Sequence, residues 1–107
     1  MKTDIEFTKA ADQEMEAILA RLSDFDPDEL ECDLAMGVLS MLFADRTRCI
    51  MNRQTAAHQI WLAAGVQAWH FQRDEATGEW TDTKGRGPLR RILAEVLSQK
   101  LQRPISL

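Results

Sequence analysis

The spacing of apolar residues changes twice along this chain, from a helical period to a strand period and back, and this order limits the fold more than any other feature. Between Ile5 and about Asp24 an apolar residue recurs every three or four positions, which predicts an amphipathic helix. Its apolar stripe consists of Phe7, Ala11, Met15, Ile18, Leu22 and Phe25. Thr3 or Asp4 can cap its N-terminus, and Pro27 ends it because the residue before a proline disfavours the helical conformation.

The middle of the chain has a period of two. Leu30, Cys32 and Leu34 alternate with acidic or small residues, which indicates a strand with one buried face. Turn residues such as Gly37 and Gly78 separate further short strands. The predicted strands span residues 30–35, 38–43, 48–53, 59–63, 68–72 and 80–82. Because each follows the last after a short turn, we expect an antiparallel meander.

A second helix is predicted after the break at residues 84–88, since a proline is well tolerated where a helix begins. Its apolar stripe consists of Leu89, Ile92, Leu93, Val96 and Leu97. Pro104 closes this helix. The tail that follows is apolar at Ile105 and Leu107, so we expect it to pack on the core.

The two apolar stripes decide how these elements assemble. Each helix has one stripe, so both helices must cover the same face of the sheet. The sequence therefore predicts an α+β fold, a two-layer α-β sandwich with N- and C-terminal helices on one face of an antiparallel β-sheet, and the other face is left for recognition. With 107 residues, of which 45% are hydrophobic, the chain can bury one modest core, which predicts a single domain over residues 1–107.

Several features indicate the setting in which the chain works. No apolar run is long enough to span a bilayer, and the first residues lack the pattern of a signal peptide. Cys32 and Cys49 form no CxxC pair, so we interpret them as reduced core thiols of a cytoplasmic protein; the alternative is a redox pair. Methionines within apolar patterns are interpreted as core residues rather than a soft-metal site. They are Met15, Met36, Met41 and Met51.

Negative charge is concentrated early in the chain. Six carboxylates lie between Asp24 and Asp33, and no basic residue occurs from Ser23 to Ala44. Such a cluster suits a surface that meets cations or a basic partner; the alternative is a solvated turn. Residues 1–45 carry 12 acidic and 3 basic side chains, and residues 46–107 carry 5 and 10. This division argues against a general nucleic-acid binder, whose basic surface must dominate its field. A local role stays open for Arg86, Arg90, Arg91, Lys100 and Arg103.

The open face of the sheet offers a second candidate surface. If Ile60 and Leu62 point into the core, pleating sends Gln59 and Trp61 outward. The preceding strand can offer Asn52 and Gln54 on the same side. An exposed tryptophan among amides is typical of a binding hot spot; the alternative is an ordinary core tryptophan. Trp69, Phe71 and Trp80 are predicted to be core residues.

Motifs for catalysis are not found in the sequence. It contains no catalytic triad, phosphate-binding glycine loop or nucleotide fingerprint. His58 and His70 belong to no zinc pattern, so a structural or partner-contact role is expected for both. These observations favour a binding protein over an enzyme.

Several motifs together resemble the bacterial frataxin family. They are Ala11-Asp12-Gln13, the acidic turn, Gly37-Val38-Leu39, Asn52-Arg53-Gln54, His58-Gln59-Ile60-Trp61-Leu62-Ala63, Trp69-His70-Phe71 and Trp80. The resemblance extends from about Phe7 to Ile105. It implies the same α-β sandwich, iron binding along an acidic ridge and a regulatory role in iron-sulfur cluster assembly. It further implies docking on the cysteine desulfurase, contact, as in related systems, with the scaffold protein on which clusters are built, and a monomeric state without iron. It favours an outward Trp61.

We predict that iron, ferrous or ferric, binds weakly at the acidic ridge, because exposed carboxylate oxygens suit this metal without imposing one geometry. The acidic ridge is defined as Asp24, Asp26, Asp28, Glu29, Glu31 and Asp33. Asp12 and Glu16 are candidates for helix-side support. However, Leu19, Ala20 and Ser23 stand where bacterial frataxins usually add acidic residues to the late first helix, which weakens the helix contribution.

The predicted partner surface combines two sets of residues. It consists of Asn52, Gln54, Gln59 and Trp61 on the sheet, with Asp26 and Glu31 on the ridge. No nucleic acid or membrane is expected as a partner. Two other functions stay open: a ferroxidase that oxidises ferrous iron at carboxylates, and an acidic adaptor without a metal role. A ferroxidase centre normally needs iron sites preorganised inside a helix bundle, which an open ridge does not provide.

Overall fold

A computed structural model describes residues 3–107 of the chain. The first helix, α1, spans Asp4–Leu22. The Thr3 hydroxyl caps it by accepting a hydrogen bond of 3.0 Å from the Glu6 backbone N–H. Its predicted stripe is buried from Phe7 to Leu22, and Phe25 packs half-buried against the core just beyond the helix. The predicted helix and its Thr3 cap are therefore confirmed, but the helix ends at Leu22, before the predicted end at about Asp24 and well before Pro27.

Six strands form one sheet in which every neighbouring pair is antiparallel and the order follows the sequence. They are β1 (Leu30–Ala35), β2 (Val38–Phe43), β3 (Arg48–Gln54), β4 (Gln59–Ala64), β5 (Gln67–Arg73) and β6 (Trp80–Asp82). The predicted meander is confirmed, with β3 to β5 one or two residues longer than expected. A single 3-10 turn, Thr55–Ala57, joins β3 to β4 and was not predicted.

The second helix, α2, spans Leu89–Leu101 and follows Pro88 directly. Ile105 and Leu107 pack half-buried against the core, as expected. The guanidinium of Arg21 donates a hydrogen bond of 3.0 Å to the Ser106 carbonyl. This contact ties the C-terminal tail to the end of α1.

The core lies between the sheet and the two helices. The buried stripes of α1 and α2 and the inward side chains of the strands belong to one apolar cluster. Trp69, Phe71 and Trp80 are among its members, as predicted. The two-layer α-β sandwich is confirmed. Among the described residues, 3–107, none forms a layer on the face of the sheet opposite the helices, here called the outer face.

Met36 differs from the prediction that it fills the core. It lies in the two-residue turn between β1 and β2, where both Met36 (φ 52°) and Gly37 (φ 78°) have positive φ. Its side chain is 97% exposed, whereas the predicted core positions Met41 and Met51 are fully buried. The prediction was wrong because Met36 lies in the turn between the two strands. A turn residue does not follow the alternation of inward and outward side chains on which the prediction relied.

The two cysteines are free and point inward on either side of Met41. Cys49 is buried and Cys32 is half-buried. Burial raises the pKa of Cys32 to about 11 and that of Cys49 to about 12. Both are therefore protonated, unreactive thiols near neutral pH, in agreement with the predicted core role.

Over residues 3–107 no helix has both the length and the apolar character that a membrane span requires.

Candidate functional site

The acidic ridge occupies one edge of the molecule. Asp24, Asp26 and Asp28 are exposed in the connection from α1 to β1, and Glu31 and Asp33 are exposed on the outer face of β1, the first edge strand. Within residues 3–107 the structure gives none of these five carboxylates an ion-pair partner. The alternation of β1 produces the outward pair, because Leu30, Cys32 and Leu34 turn to the core.

A compact turn holds the first part of the ridge. One Asp26 carboxylate oxygen accepts the Asp28 backbone N–H at 2.9 Å. The Asp26 carbonyl accepts the backbone N–H groups of Glu29 and Leu30 at 2.9 and 3.0 Å. Asp26 therefore stabilises the turn with one carboxylate oxygen, and its side chain stays exposed.

Within residues 3–107, Glu29 is the one ridge residue with a basic partner. Both of its carboxylate oxygens accept hydrogen bonds from the Arg103 guanidinium, at 2.6 and 2.7 Å. The same guanidinium lies 5.5 Å from the centre of the Phe25 ring. The sequence pattern did not indicate this pair, because Arg103 lies just beyond α2 and far from the ridge in sequence.

The two helix residues predicted to support the ridge, Asp12 and Glu16, differ in their contacts. Asp12 forms an ion pair of 2.5 Å with Arg53 at the end of β3, so it is already neutralised. Arg53 also lies against Gly37, where an added Cβ would approach its guanidinium to 2.9 Å. Glu16 is exposed on α1 and has no ion-pair partner within the described part of the chain.

The ridge does not form a closed metal cage. Among residues 3–107 no three histidine, cysteine, aspartate or glutamate side chains lie close enough together to hold one metal ion. Carboxylates arranged in an open row can still attract hard cations that keep most of their water. The chemistry available here is weak capture of cations by one or two carboxylates at a time.

The outer face carries the predicted amide and tryptophan set. Asn52 pairs with Trp61, and Gln54 pairs with Gln59, across β3 and β4. Their neighbours Ile60 and Leu62 are buried on the opposite face. The geometric prediction that Trp61 points away from the core is therefore confirmed.

Two contacts fix the orientation of the Trp61 ring. Its indole N–H donates a hydrogen bond of 2.7 Å to the side-chain oxygen of Gln59. One face of the ring stacks on His70 of β5, with centroids 4.1 Å apart and planes 9° apart. No sequence pattern indicated the His70 contact, although the place of His70 between the buried Trp69 and Phe71 implied an outward side chain.

The other histidine belongs to the packing of α1. His58 stacks on Phe7 with ring centroids 5.0 Å apart, and its Nε2 lies 2.7 Å from an Asp4 carboxylate oxygen. These contacts hold the β3–β4 connection against the start of the helix. The expected structural role of His58 is confirmed.

The basic residues of the second half are used inside the fold. Arg90 binds Glu14 at 2.8 Å, Lys100 binds Asp45, and Arg86 binds the buried Asp82 at 2.8 Å. Arg91 is 3.7 Å from Glu95. The pairs of Arg90 and Lys100, like that of Arg103, join the two halves of the chain, whereas those of Arg86 and Arg91 lie within the second half. None of these five basic residues stands as an unpaired cation.

Comparison with known proteins gives a consistent result. The model of the frataxin-like domain family matches residues 1–103. The chain is 40% identical over 96 residues to the iron-sulfur cluster assembly protein CyaY of Thioalkalivibrio sulfidiphilus, which covers 89% of this chain and 90% of that protein. Frataxin from Psychromonas ingrahamii has a similar fold, with a TM-score of 0.87 over 97% of this chain and 96% of that one at 24% identity. Trimeric yeast frataxin from Saccharomyces cerevisiae, in complex with ferrous iron, gives a TM-score of 0.74 at 25% identity and covers 88% of this chain and 87% of that one.

Proposed function

The chain belongs to the frataxin-like family, and on that premise we propose that it binds iron at the acidic ridge and acts in iron-sulfur cluster assembly by docking on the cysteine desulfurase. The relative from Thioalkalivibrio sulfidiphilus is named for cluster assembly, and the yeast structure contains ferrous iron. Both support the proposal.

One observation carries it: the fold neutralises acidic residues selectively. Arginine or lysine side chains bind four carboxylates of the first 45 residues. These four are Asp12, Glu14, Glu29 and Asp45. Within residues 3–107 the remaining ridge carboxylates have no such partner although ten basic residues follow in the sequence. Leaving like charges together weakens a compact state, so the unpaired set is best explained by a ligand that arrives from outside.

Iron fits this surface as a transient cargo. Carboxylate oxygens are suitable ligands for hard cations, and an exposed row imposes no fixed coordination number. We expect low affinity, poor selectivity among divalent metals, and exchange fast enough for release to a partner.

The outer face supplies the second half of the proposed docking surface. Trp61 presents a large ring that is already oriented, so little rotamer entropy is lost when a partner covers it. Glu31 and Asp33 lie on the same face at the edge of the sheet. A basic partner is therefore steered by the ridge and held by Trp61.

Surface-immobilised cysteine desulfurase, tested over a range of salt concentrations, separates these two contributions. Asp26→Lys combined with Glu31→Lys should slow association and flatten its salt dependence. Trp61→Ala should mainly speed dissociation and cost on the order of 2 kcal/mol of binding. A matched control is Glu79→Lys combined with Glu95→Lys, which changes the net charge equally away from the ridge. If both test variants bind like the parent, the partner assignment is wrong.

We propose binding rather than catalysis as the role of the ridge. A ferroxidase would need two iron sites held in fixed geometry, and the open row favours single, hydrated ions. Oxygen consumption on addition of ferrous iron tests this directly. A rate that falls when the ridge is neutralised would favour the ferroxidase.

A further inference from the structure

The turn between β1 and β2 exposes apolar side chains that nothing so far explains. Among residues 3–107 the large apolar residues that are exposed are Ile5, Met36, Val38 and Val66. Met36 is 97% exposed and Val38 is 39% exposed. These two stand at one turn, here called the hairpin tip and defined as residues 35–38.

Met36 is an unfavourable residue for the backbone of this turn. Ala35 pairs with Val38, so the loop has two residues, and the φ angles of 52° and 78° at Met36 and Gly37 identify a type I′ turn. Such turns prefer Asn-Gly, because Asn tolerates the left-handed region that other side chains disfavour. Gly37 follows this preference and Met36 does not.

Folding offers Met36 no compensation for that cost. Its side chain is almost fully exposed, so it contributes no burial to the core. A strained, exposed and apolar residue is the combination that points to a contact made outside the chain.

The hairpin tip continues the recognition surface around Trp61. Val38 pairs with Asn52, and Asn52 pairs with Trp61. Adjacent strands are about 4.8 Å apart, so Val38 and Trp61 lie about 10 Å apart on one face. Asp33 is on the same face, two residues before the tip.

We propose that Met36 and Val38 form a second anchor, which inserts into an apolar depression beside basic residues on the partner that Trp61 and the ridge bind. The charge of the neighbouring surface indicates the partner chemistry. Glu31 and Asp33 have no ion-pair partner within residues 3–107, and the one arginine near them, Arg48, donates to Ser40, so a cationic surface complements the face beside the tip. A flexible thioether adapts well to such a depression. This inference rests on the proposed function and extends its contact surface.

Two substitutions at one position separate the roles of Met36. Met36→Asn gives the turn its preferred residue and removes the apolar group, so the melting temperature should rise by about 4 °C while the affinity for the desulfurase falls about tenfold. Met36→Leu keeps both the apolar group and the backbone strain, so its melting temperature and affinity should stay near those of the parent. Stability and binding should thus change in opposite directions for Met36→Asn.

Val66→Asn is the matched control. Val66 is fully exposed in the turn between β4 and β5, which lies at the other end of the sheet. Its substitution removes an exposed apolar group of similar kind without altering the hairpin tip. Binding should be unchanged.

The outcomes distinguish this inference from the function on which it rests. If Met36→Asn binds as tightly as the parent while Trp61→Ala binds more weakly, the second anchor is wrong and the proposed function stands. If the parent does not bind the desulfurase at all, both are wrong. If Met36→Asn instead abolishes a concentration-dependent self-association of the parent, the tip contacts a second copy of the chain and the assignment to the desulfurase is wrong.

Discussion

Arg103 binds both carboxylate oxygens of Glu29 across a sequence separation of 74 residues, at 2.6 and 2.7 Å. The ion pair divides the acidic ridge into one neutralised member and five members without a partner within residues 3–107. The ion pair also reduces the net negative charge that the ridge presents to an incoming cation. Glu29 in turn raises the pKa of Arg103 through the hydrogen bond between them.

Removing this pair should strengthen cation binding. In Arg103→Gln the Glu29 carboxylate becomes available to metal, so we expect the dissociation constant for ferrous iron to fall severalfold. The free energy of unfolding should change little, since exposed ion pairs contribute little to stability. Anaerobic titration calorimetry measures the first effect. Lys84→Gln removes a positive charge beyond β6, at the opposite edge of the sheet, and serves as the control. If both variants lower the dissociation constant for ferrous iron equally, the effect comes from net charge and not from the release of Glu29.

Neutralising the outward pair of β1 should have the opposite effect. Glu31→Gln combined with Asp33→Asn should weaken iron binding and leave the fold intact, because both side chains point away from the core. Ferrous iron should raise the melting temperature of the parent more than that of the variant, since a ligand that binds only the native state stabilises it.

Amide shifts in NMR titrations should locate the metal in the same experiment. We expect them between Asp24 and Asp33 in the parent. Shifts centred on His58 or His70 would move the site away from the ridge and contradict the assignment.

The His70 ring should act on binding through Trp61. His70→Ala removes the stacked ring, so Trp61 should become more accessible to acrylamide quenching. The complex with the desulfurase should also dissociate faster, with a loss of binding free energy of about 0.5–1.5 kcal/mol. Acrylamide quenching reports mainly on Trp61 because the rings of Trp69 and Trp80 are buried and shielded from the quencher. His58→Ala is the control: it removes a ring that stacks on Phe7, so it should lower stability and leave the dissociation rate unchanged.

The buried Asp82 should make stability depend on acidic pH. Its carboxylate accepts hydrogen bonds from the Lys84 and Arg86 backbone N–H groups at 3.2 and 3.0 Å and from the Arg86 guanidinium at 2.8 and 3.1 Å. Those interactions, with the Arg86 side chain foremost, lower the pKa of Asp82. A lowered pKa in the fold means that this stability is fully present above the unfolded value of about 3.9 and is lost as pH falls below it.

Urea unfolding at two pH values measures this effect. Asp82→Asn should cost about 1–3 kcal/mol at pH 7, because buried donors lose a charged acceptor. The difference between parent and variant should shrink at pH 3. An equal difference at both pH values would show that the charge of Asp82 contributes nothing.

The sequence allowed the elements and their packing to be predicted because they depend on local period. Alternation in β4 offered an outward position for Trp61, the family resemblance favoured it over a core position, and the structure places Trp61 on the face opposite Ile60 and Leu62. Such a pattern failed at Met36, where a turn interrupts the alternation and the apolar character of the residue has a different cause.

Contacts between distant residues were outside the reach of such patterns. Arg103 and Glu29, or His70 and Trp61, come together only when the sheet and helices have assembled. No local spacing encodes these pairs, so the ridge was predicted with one more available carboxylate than the structure leaves. The orientation of the Trp61 ring likewise depends on its cross-strand neighbour His70. Predicting that contact requires the pairing register between β4 and β5, and not just the positions of the two strands.

The ion pairs between the two halves of the chain affect the order in which native contacts can form during translation. A ribosome releases the acidic first half well before α2, and domains mature from the N-terminus as they emerge. Glu14, Glu29 and Asp45 then lack the cations at residues 90–103 that bind them in the finished protein. The inner face of the nascent sheet also lacks the apolar stripe of α2 until that helix docks. We therefore expect the native ion pairs and the complete core to form only after α2 has emerged from the ribosome.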